Sequence, residues 1–126
     1  MSFIKTVAYD DSDAAFFANN LKIGLVRSAR ESIKTEIYPL RCFGEAEPSE
    51  FANGSKSYEI VLKREQSGDA IDFAMYDEFT LRIKRANSIV VYDSCRCKSI
   101  EIERMAGEPM LEVITLTAAG RKEVRA

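Results

Sequence analysis

The chain has 126 residues, of which 46% are hydrophobic and 30% charged, as in an ordinary globular domain. It contains no histidine, which excludes histidine-dependent nucleophile arrangements and removes the commonest metal ligand. The formal net charge of −2 gives no reason to expect a nucleic-acid-binding domain.

Strand patterns begin in the first third of the chain. The segment "SDAAFFANN" is short enough for one helical turn or for an edge strand. From Leu21 onward, apolar and polar residues alternate, which is typical of half-buried strands. We expect "LKIGLV" and "SIKTEIY" to pair as a hairpin about the polar stretch "RSARE". The stretch "PLRCFGEAEPSEFANGSKS" contains two prolines and two glycines and is predicted to be a loop with a short extended entry.

The second half of the chain shows a stronger strand signal. Helical signal is confined to "GDAIDFAMYD", where Asp69 could cap. Further strands are predicted at "SIVVYDSCRCK", "SIEIER" and "PMLEVITLTA". The segments "YEIVLK" and "FTLRIKR" each place three apolar side chains on one face, namely Tyr58, Ile60 and Leu62, and Phe79, Leu81 and Ile83. We therefore predict a mainly β protein: an antiparallel β-barrel or orthogonal β-sandwich of about six to seven strands with one short helix, forming a single β-barrel-like domain over residues 1–126.

The segments "FTLRIKR" and "SIVVYDSC" are predicted to pair in one of two registers. A three-residue turn at 86–88 sets Phe79 opposite Cys95, whereas a two-residue turn sets Tyr92 beside Leu81 and exposes Cys95. In both registers the consecutive residues 89–92 leave apolar groups on each strand face. Because a strand in a one-layer barrel has only one buried face, this run implies cover from a helix or from another subunit.

Two cysteines, Cys95 and Cys97, flank one residue in the "VVYDSCRCKS" stretch. On one strand face they lie about 6.6 Å apart, which is too far for a disulfide. Only Cys42 remains to complete a zinc site, and histidine is absent. We interpret these cysteines as small buried hydrophobes in a reducing compartment.

The apolar phase changes within the same segment. Cys95 and Cys97 are odd-numbered, whereas the next apolar pair, Ile100 and Ile102, is even-numbered. A flat strand would turn one pair outward, so we predict a bulge or bend near residues 98–99. Such a bend lets a strand pass from one sheet to another.

No pattern in the sequence predicts a catalytic, cofactor-binding or metal-binding residue, so we expect no enzyme activity and no cofactor. Glu101 and Glu103 are predicted to form the wet side of a strand. The "YDDSD" stretch lacks the glycine and the closing glutamate of a calcium loop and is predicted to be a solvated turn. Its acidic residues are Asp10, Asp11 and Asp13.

A basic cluster is the strongest electrostatic feature. It comprises Arg82, Lys84, Arg85, Arg96 and Lys98. We interpret it as a solvated strand face. The alternative is contact with an acidic surface of a partner subunit, and contact with nucleic acid is a weaker alternative.

The order of elements from about Leu21 to Val124 resembles that of β-barrel structural proteins of tailed-bacteriophage tails, in the tail-tube and baseplate-ring lineage. The resemblance lies in the polar loop leading into "YEIVLK", the acidic "GDAIDFAMYDEFTLRI" segment, the "IVVYDSCRCKSIEIE" strand and the final "TLTAAGRKEV".

The resemblance implies a non-enzymatic subunit of a phage or prophage-derived tail, in a tube, baseplate or adaptor ring. Such a subunit would self-associate into a ring or tube and contact other tail or baseplate proteins, with nucleic acid only as channel content. It would be located in the virion tail, and in the bacterial host cytoplasm during assembly. By the same resemblance, residues 41–56 would form inter-subunit contacts. The candidate interface residues are Ile89, Val90, Tyr92, Arg82, Lys84, Phe43 and Phe51.

The alternative is a cytoplasmic β-barrel module that binds a small apolar ligand among Tyr58, Phe73, Met75 and Phe79. We expect a cytoplasmic location, because the segment "MSFIKTVAYDD" lacks the features of a signal peptide. No apolar run approaches the roughly 20 residues that would cross a membrane. A small enzyme is the third class, and no motif supports it.

Overall fold

The computed structural model describes residues 2–10, 12–40, 44, 50–66, 72–104 and 106–125. Its only helical element in these ranges is a single 3-10 turn at Phe73–Met75, which Asp72 caps by accepting a hydrogen bond from the Ala74 amide. None of the described segments forms a helix with the length and apolarity needed to cross a membrane. The strands are β1 (Ser2–Asp10), β2 (Ala14–Ala18), β3 (Leu21–Ile23), β4 (Val26–Leu40), β5 (Glu50–Glu65), β6 (Phe79–Arg85), β7 (Ser88–Glu103), β8 (Leu111–Ala118) and β9 (Gly120–Arg125).

The strands form two antiparallel sheets that share β7. The first sheet has the order β1-β4-β5-β8-β7 and uses the second half of β7, whereas the second has the order β3-β2-β6-β7-β9 and uses the first half. No pairing closes the ends of this path in the described part of the chain. The mainly β, antiparallel prediction is confirmed as an open, sandwich-like fold. It has more strands than the six to seven predicted, and a 3-10 turn stands where a short helix was expected.

The long strand β7 passes from one sheet to the other at a bend. Residues 88–93 pair with β9, and residues 96–103 pair with β8. Ser94 lies between these two halves and has a φ of 52°, which is an uncommon conformation for a residue other than glycine. A register shift between Cys97 and Ser99 confirms the bulge predicted near residues 98–99.

The β6–β7 hairpin combines features of both predicted registers. Leu81 pairs with Tyr92, as the two-residue turn requires. An irregularity between Phe79 and Leu81 then restores the pairing of Phe79 with Cys95. Cys95 is therefore buried, and the exposure expected for it with a two-residue turn is wrong because the bulge shifts the phase of the strand by one residue.

Three predictions for the first half of the chain are wrong. The segment "RSARE" lies inside β4 and is not a turn, because β4 runs unbroken from Val26 to Leu40 and pairs with both β1 and β5. Strand β2 is an interior strand, since it pairs with β3 and β6. The predicted loop before Tyr58 is largely strand, because β5 begins at Glu50. Strand β1 was not predicted at all.

The core lies between the two sheets and is formed by the predicted alternation. Ring contacts join the sheets, with centroid distances of 6.4 Å between Tyr9 and Phe16 and 5.9 Å between Tyr58 and Tyr92. Burial of these apolar side chains is the main favourable term in folding. The largest buried aliphatic side chains are Ile60, Leu62, Leu81, Ile83, Ile114 and Leu116.

The bend in β7 generates a first prediction. Substituting Ser94→Val places a β-branched side chain at a positive φ and is expected to lower the free energy of unfolding by about 1–2 kcal/mol. Ser94→Gly should cost less, because glycine adopts positive φ without a Cβ clash. Thr6→Val in β1, whose pairing with β4 is regular throughout, is the matched control and should change little. Urea unfolding measures all three, and a Ser94→Val variant as stable as the control would contradict the bend.

Candidate interaction surface and buried charge network

The outer face of the second sheet holds two of the predicted interface cations. Leu81 and Ile83 of β6 point into the core, so Arg82 and Lys84 between them are exposed on the opposite face. Lys84 pairs laterally with Ile89 of β7, which is half-buried on the same face. The structure therefore brings Arg82, Lys84 and Ile89 together on one surface.

Neighbouring strands extend this surface with two further cations. Lys22 of β3 pairs with Phe17 of β2, which in turn pairs with Arg82. On the other side, Val91 lies between Arg82 and Lys122 of β9. We define the basic face as Lys22, Arg82, Lys84 and Lys122 with the interleaved apolar residues Phe17, Ile89 and Val91.

None of the four cations of the basic face forms an ion pair with a residue that the structure describes. Arg82 Nη1 donates a hydrogen bond to Asn20 Oδ1 at 3.2 Å, and this contact leaves the positive charge uncompensated. Lys22 and Lys122 were not predicted from the sequence. A signal for them exists in the alternation of "LKI" and "GRKEVR", because the adjacent residue in the strand, Ile23 or Arg121, is buried or half-buried on the other face.

The remaining interface candidates lie elsewhere. Val90 and Tyr92 are fully buried in the chain's own core, so they contribute no exposed surface. Tyr92 packs against Tyr58 of the first sheet, so this is the core-facing side of the strand. The cover from a helix or another subunit that we expected for its other side, which carries half-buried Ile89 and Val91, stays a prediction. Phe51 lies in β5 with its backbone opposite Pro39, and its side chain lies outside the described part of the chain, as does Phe43.

The predicted basic cluster is divided among three environments. Arg82 and Lys84 belong to the basic face, whereas Arg85 points inward on the same strand. Arg96 and Lys98 belong to the part of β7 in the first sheet, where they pair with Glu78 at 3.5 Å and Glu59 at 3.8 Å. The prediction of one continuous cluster is wrong because the bend in β7 separates its members.

Beneath the basic face lies a buried carboxylate, that of Glu31 on β4. Its side chain is 0% exposed and accepts a hydrogen bond from Arg85 Nη2 at 2.9 Å. Arg121 Nε of β9 lies 3.6 Å from the other carboxylate oxygen. The phenol groups of Tyr9 and Tyr92 each donate a further hydrogen bond to the same carboxylate. Two cations and two hydroxyl groups thus compensate one buried anion.

Further contacts complete this charge network. Arg85 and Arg121 both reach Glu123 of β9, at 3.3 Å and 3.4 Å. The Arg85 guanidinium also lies 4.9 Å from the ring centroid of Tyr9, within range of a cation–π interaction. No local pattern predicted Glu31, because its partners lie on distant strands of the chain.

Burial sets the protonation of several groups around the core. Desolvation, followed by the hydrogen bond to Glu31, raises the pKa of Tyr9 and of Tyr92 well above the usual range. Burial also raises the pKa of the Cys95 thiol to about 11. Cys95 therefore remains an uncharged thiol at neutral pH, which supports its interpretation as a small core residue. Cys95 and Cys97 are both free thiols.

The acidic N-terminal stretch is organised as a turn. Asp10 Oδ1 accepts hydrogen bonds from the Ser12 amide and hydroxyl, and Asp13 Oδ2 accepts one from the Asp10 amide. Hydrogen bonds from Ser12 lower the pKa of Asp10. Asp11 lies outside the described residues. Among the residues that the structure describes, no group of three or more potential metal ligands is found.

The residues proposed to surround an apolar ligand are packed against one another or exposed. Phe73 and Phe79 have ring centroids 5.2 Å apart, and Arg64 stacks on Phe73 at 5.0 Å. Met75 is 80% exposed. A surface cleft of about 610 Å³ is open to solvent and has both charged and apolar lining residues, such as Lys22 and Phe16. These observations do not support a closed ligand-binding barrel.

The fold is shared with a chain from a solved structure described as "Virion of native gene transfer agent (GTA) particle". The TM-score is 0.68 at 14% sequence identity, and the match covers 94% of this chain and 98% of that chain. At this identity the similarity shows a common fold. No protein-family model matches the sequence, and no curated protein sequence matches it significantly.

The charge network generates a second prediction. Glu31→Ala removes the buried anion and leaves two half-buried arginines with only the exposed Glu123 as an ion-pair partner among the described residues. It is therefore expected to lower the free energy of unfolding by about 3–5 kcal/mol. Glu59→Ala removes an exposed ion pair and should cost no more than about 1 kcal/mol. Chemical denaturation of both variants measures the difference. Similar losses for the two would show that the buried carboxylate does not hold the sheets together.

The tyrosines generate a third prediction, on pH. Because folding raises the pKa of Tyr9 and Tyr92, their contribution to stability is complete below the unfolded value of about 10 and is lost as pH rises above it. We expect the free energy of unfolding to fall steeply in that alkaline range. The fall should be smaller for Tyr9→Phe than for Tyr76→Phe, whose ring lies outside the network. Equal alkaline slopes for these two variants would contradict the assignment.

Proposed function

We propose that this protein is a non-enzymatic structural subunit of a phage-like virion, within the tail as a tube, baseplate or adaptor ring. The observation that carries the proposal is the fold shared over nearly the whole length of both chains with a component of a gene transfer agent virion. The proposal includes self-association and contact with other virion proteins. It places the protein in the virion, and in the bacterial host cytoplasm during assembly.

Exposed apolar residues on an edge strand support self-association. Strand β1 pairs only with β4 in the described structure, so its other edge is open. Phe3 and Ile4 on this strand are each 59% exposed. Soluble monomers usually protect open edges with charge, proline or covering segments. An edge with two large exposed apolar side chains suits a chain that is covered in an assembly.

The β4–β5 hairpin provides a second surface of this kind. Its pairing continues to Leu40 and Glu50, whereas the pairing of β5 with β8 ends at Tyr58. The end of the hairpin therefore projects beyond β8, carrying exposed Tyr38 and Leu40. A projecting hairpin with apolar side chains is suited to reach a neighbouring protein, and it borders residues 41–56, to which the tail resemblance assigns inter-subunit contacts.

The positions and contacts of the carboxylate groups support a structural role. Glu31, the fully buried carboxylate of the first sheet, is held by two arginines of the second sheet, so its contacts join the sheets as those of a scaffold residue would. The outward carboxylates Glu101 and Glu103 lie on an open strand surface, where nothing in the described structure encloses a substrate.

Sedimentation over a concentration series tests the proposal and forms a fourth prediction. The wild-type protein should increase in mass as concentration rises, and negative-stain images should show rings or tubes. Ile4→Lys should weaken association, because it places a charge on the apolar edge. Thr6→Lys is the matched control, since it adds the same charge to the same face of β1. A wild-type monomer at every concentration would refute self-association, and equal masses for the two variants would exclude β1 from the interface.

A further inference from the structure

We infer that the basic face binds the acidic end of the β7–β8 hairpin in a second copy of this chain. We define the acidic hairpin end as Glu101, Glu103 and Glu108 with the half-buried apolar residues Leu111 and Val113. This inference rests on the proposed self-association and names the two surfaces that would meet.

The first step is that the basic face lacks a counter-charge in its own chain. On the outer face of the first sheet, cations such as Lys63 and Lys98 pair with Glu103 and Glu59, at 3.5 Å and 3.8 Å. The basic face has no such ion pairs with described residues, although the whole chain carries a formal charge of −2. Its cations are therefore available to an acidic partner.

The second step is that the basic face suits a protein better than a nucleic acid. Phe17, Ile89 and Val91 alternate with the cations across the strands, and Val124 beside Ile89 is 47% exposed. A phosphate backbone would satisfy the charges but would leave these apolar groups without contact. An acidic surface with apolar side chains would match both components.

The third step is that the chain itself carries such a surface. Glu101 lies opposite Val113 and Glu103 lies opposite Leu111 on the outer face of the first sheet, and both apolar side chains are half-buried. Glu103 pairs with Lys63, but that pair is solvent-exposed on both sides and is easily exchanged for another. The acidic hairpin end thus offers the opposite charge together with apolar side chains that can pack against those of the basic face.

The fourth step is that the two surfaces cannot meet within one copy. Ile89 and Glu101 lie on the same strand, separated by about 40 Å of strand path at the usual rise per residue. The bend at Ser94 also assigns them to different sheets. Contact between copies is therefore heterologous, with different patches meeting, which generates a ring or an open filament.

Charge reversal tests the inference and forms a fifth prediction. In the face variant, Arg82→Glu and Lys84→Glu make both surfaces acidic. In the hairpin variant, Glu101→Lys and Glu103→Lys make both surfaces basic. Each variant alone should associate at least about tenfold more weakly than wild type, because like charges then meet. An equal mixture should recover association, since every contact between unlike copies again joins opposite charges.

A matched control separates specific contact from net charge. Arg96→Glu with Lys98→Glu changes the same residue types at the same spacing, but these cations already pair with acidic residues of their own chain. This control should associate like wild type, and circular dichroism should show all variants folded. If the wild type associates and the face and hairpin variants associate equally strongly, the inference is wrong but the proposed function stands. If the wild type is a monomer, both are refuted.

A second readout distinguishes protein from nucleic acid. Duplex DNA is titrated into the wild type, the face variant and the hairpin variant at about 150 mM salt. We expect no binding that depends on Arg82 and Lys84. The inference would be overturned if the wild type binds DNA, the face variant does not, and the mixture of variants fails to recover association. The basic face would then be assigned to nucleic acid.

Discussion

The Glu31 carboxylate is the contact on which the arrangement of the two sheets depends. It is fully buried, and its partners come from β1, β6, β7 and β9, so a single anion joins both sheets. A buried charge is tolerated only when its partners are held in place. Apolar packing provides most of the free energy of folding, whereas this network fixes how one sheet lies on the other, since a displaced sheet would leave charges unpaired.

Because side chains alternate between the two faces of a strand, neighbouring cations in β6 and β9 have different surroundings. Arg85 and Arg121 point inward and are compensated by Glu31 and Glu123. Lys84 and Lys122, one residue away in each strand, point outward, where they have no ion-pair partner among the described residues. The same short basic segments therefore stabilise the core with one residue and create an uncompensated surface with the next. Composition alone hides this division, because the chain as a whole is slightly acidic.

The sequence predicted those parts of the fold in which a local pattern controls the structure. Alternation placed Ile60, Leu62, Leu81 and Ile83 in the core, and the phase change after Cys97 located the bulge. It failed at β4, because Glu31 occupies an inward position and makes "RSARE" appear to be a polar turn. The network around Glu31 joins residues that are remote in sequence, so no spacing rule could have revealed it. Arg82, Lys84 and Ile89 were named as interface candidates without being assigned to one face, and their role in an interface stays a prediction. Their cationic neighbours Lys22 and Lys122 come from strands whose pairing was not predicted.

The shared strand β7 links the proposed contact to the geometry of an assembly. Its first half carries part of the basic face and its second half carries the acidic hairpin end, so one bend at Ser94 fixes the angle between the two surfaces. When different patches join successive copies, the rotation from one copy to the next decides whether a ring closes or a filament grows. In this chain that rotation would depend on the conformation of β7, which the Glu31 network restrains through Tyr92. The buried carboxylate would therefore influence the geometry of the assembly without lying in the interface, because it restrains the strand that carries both surfaces.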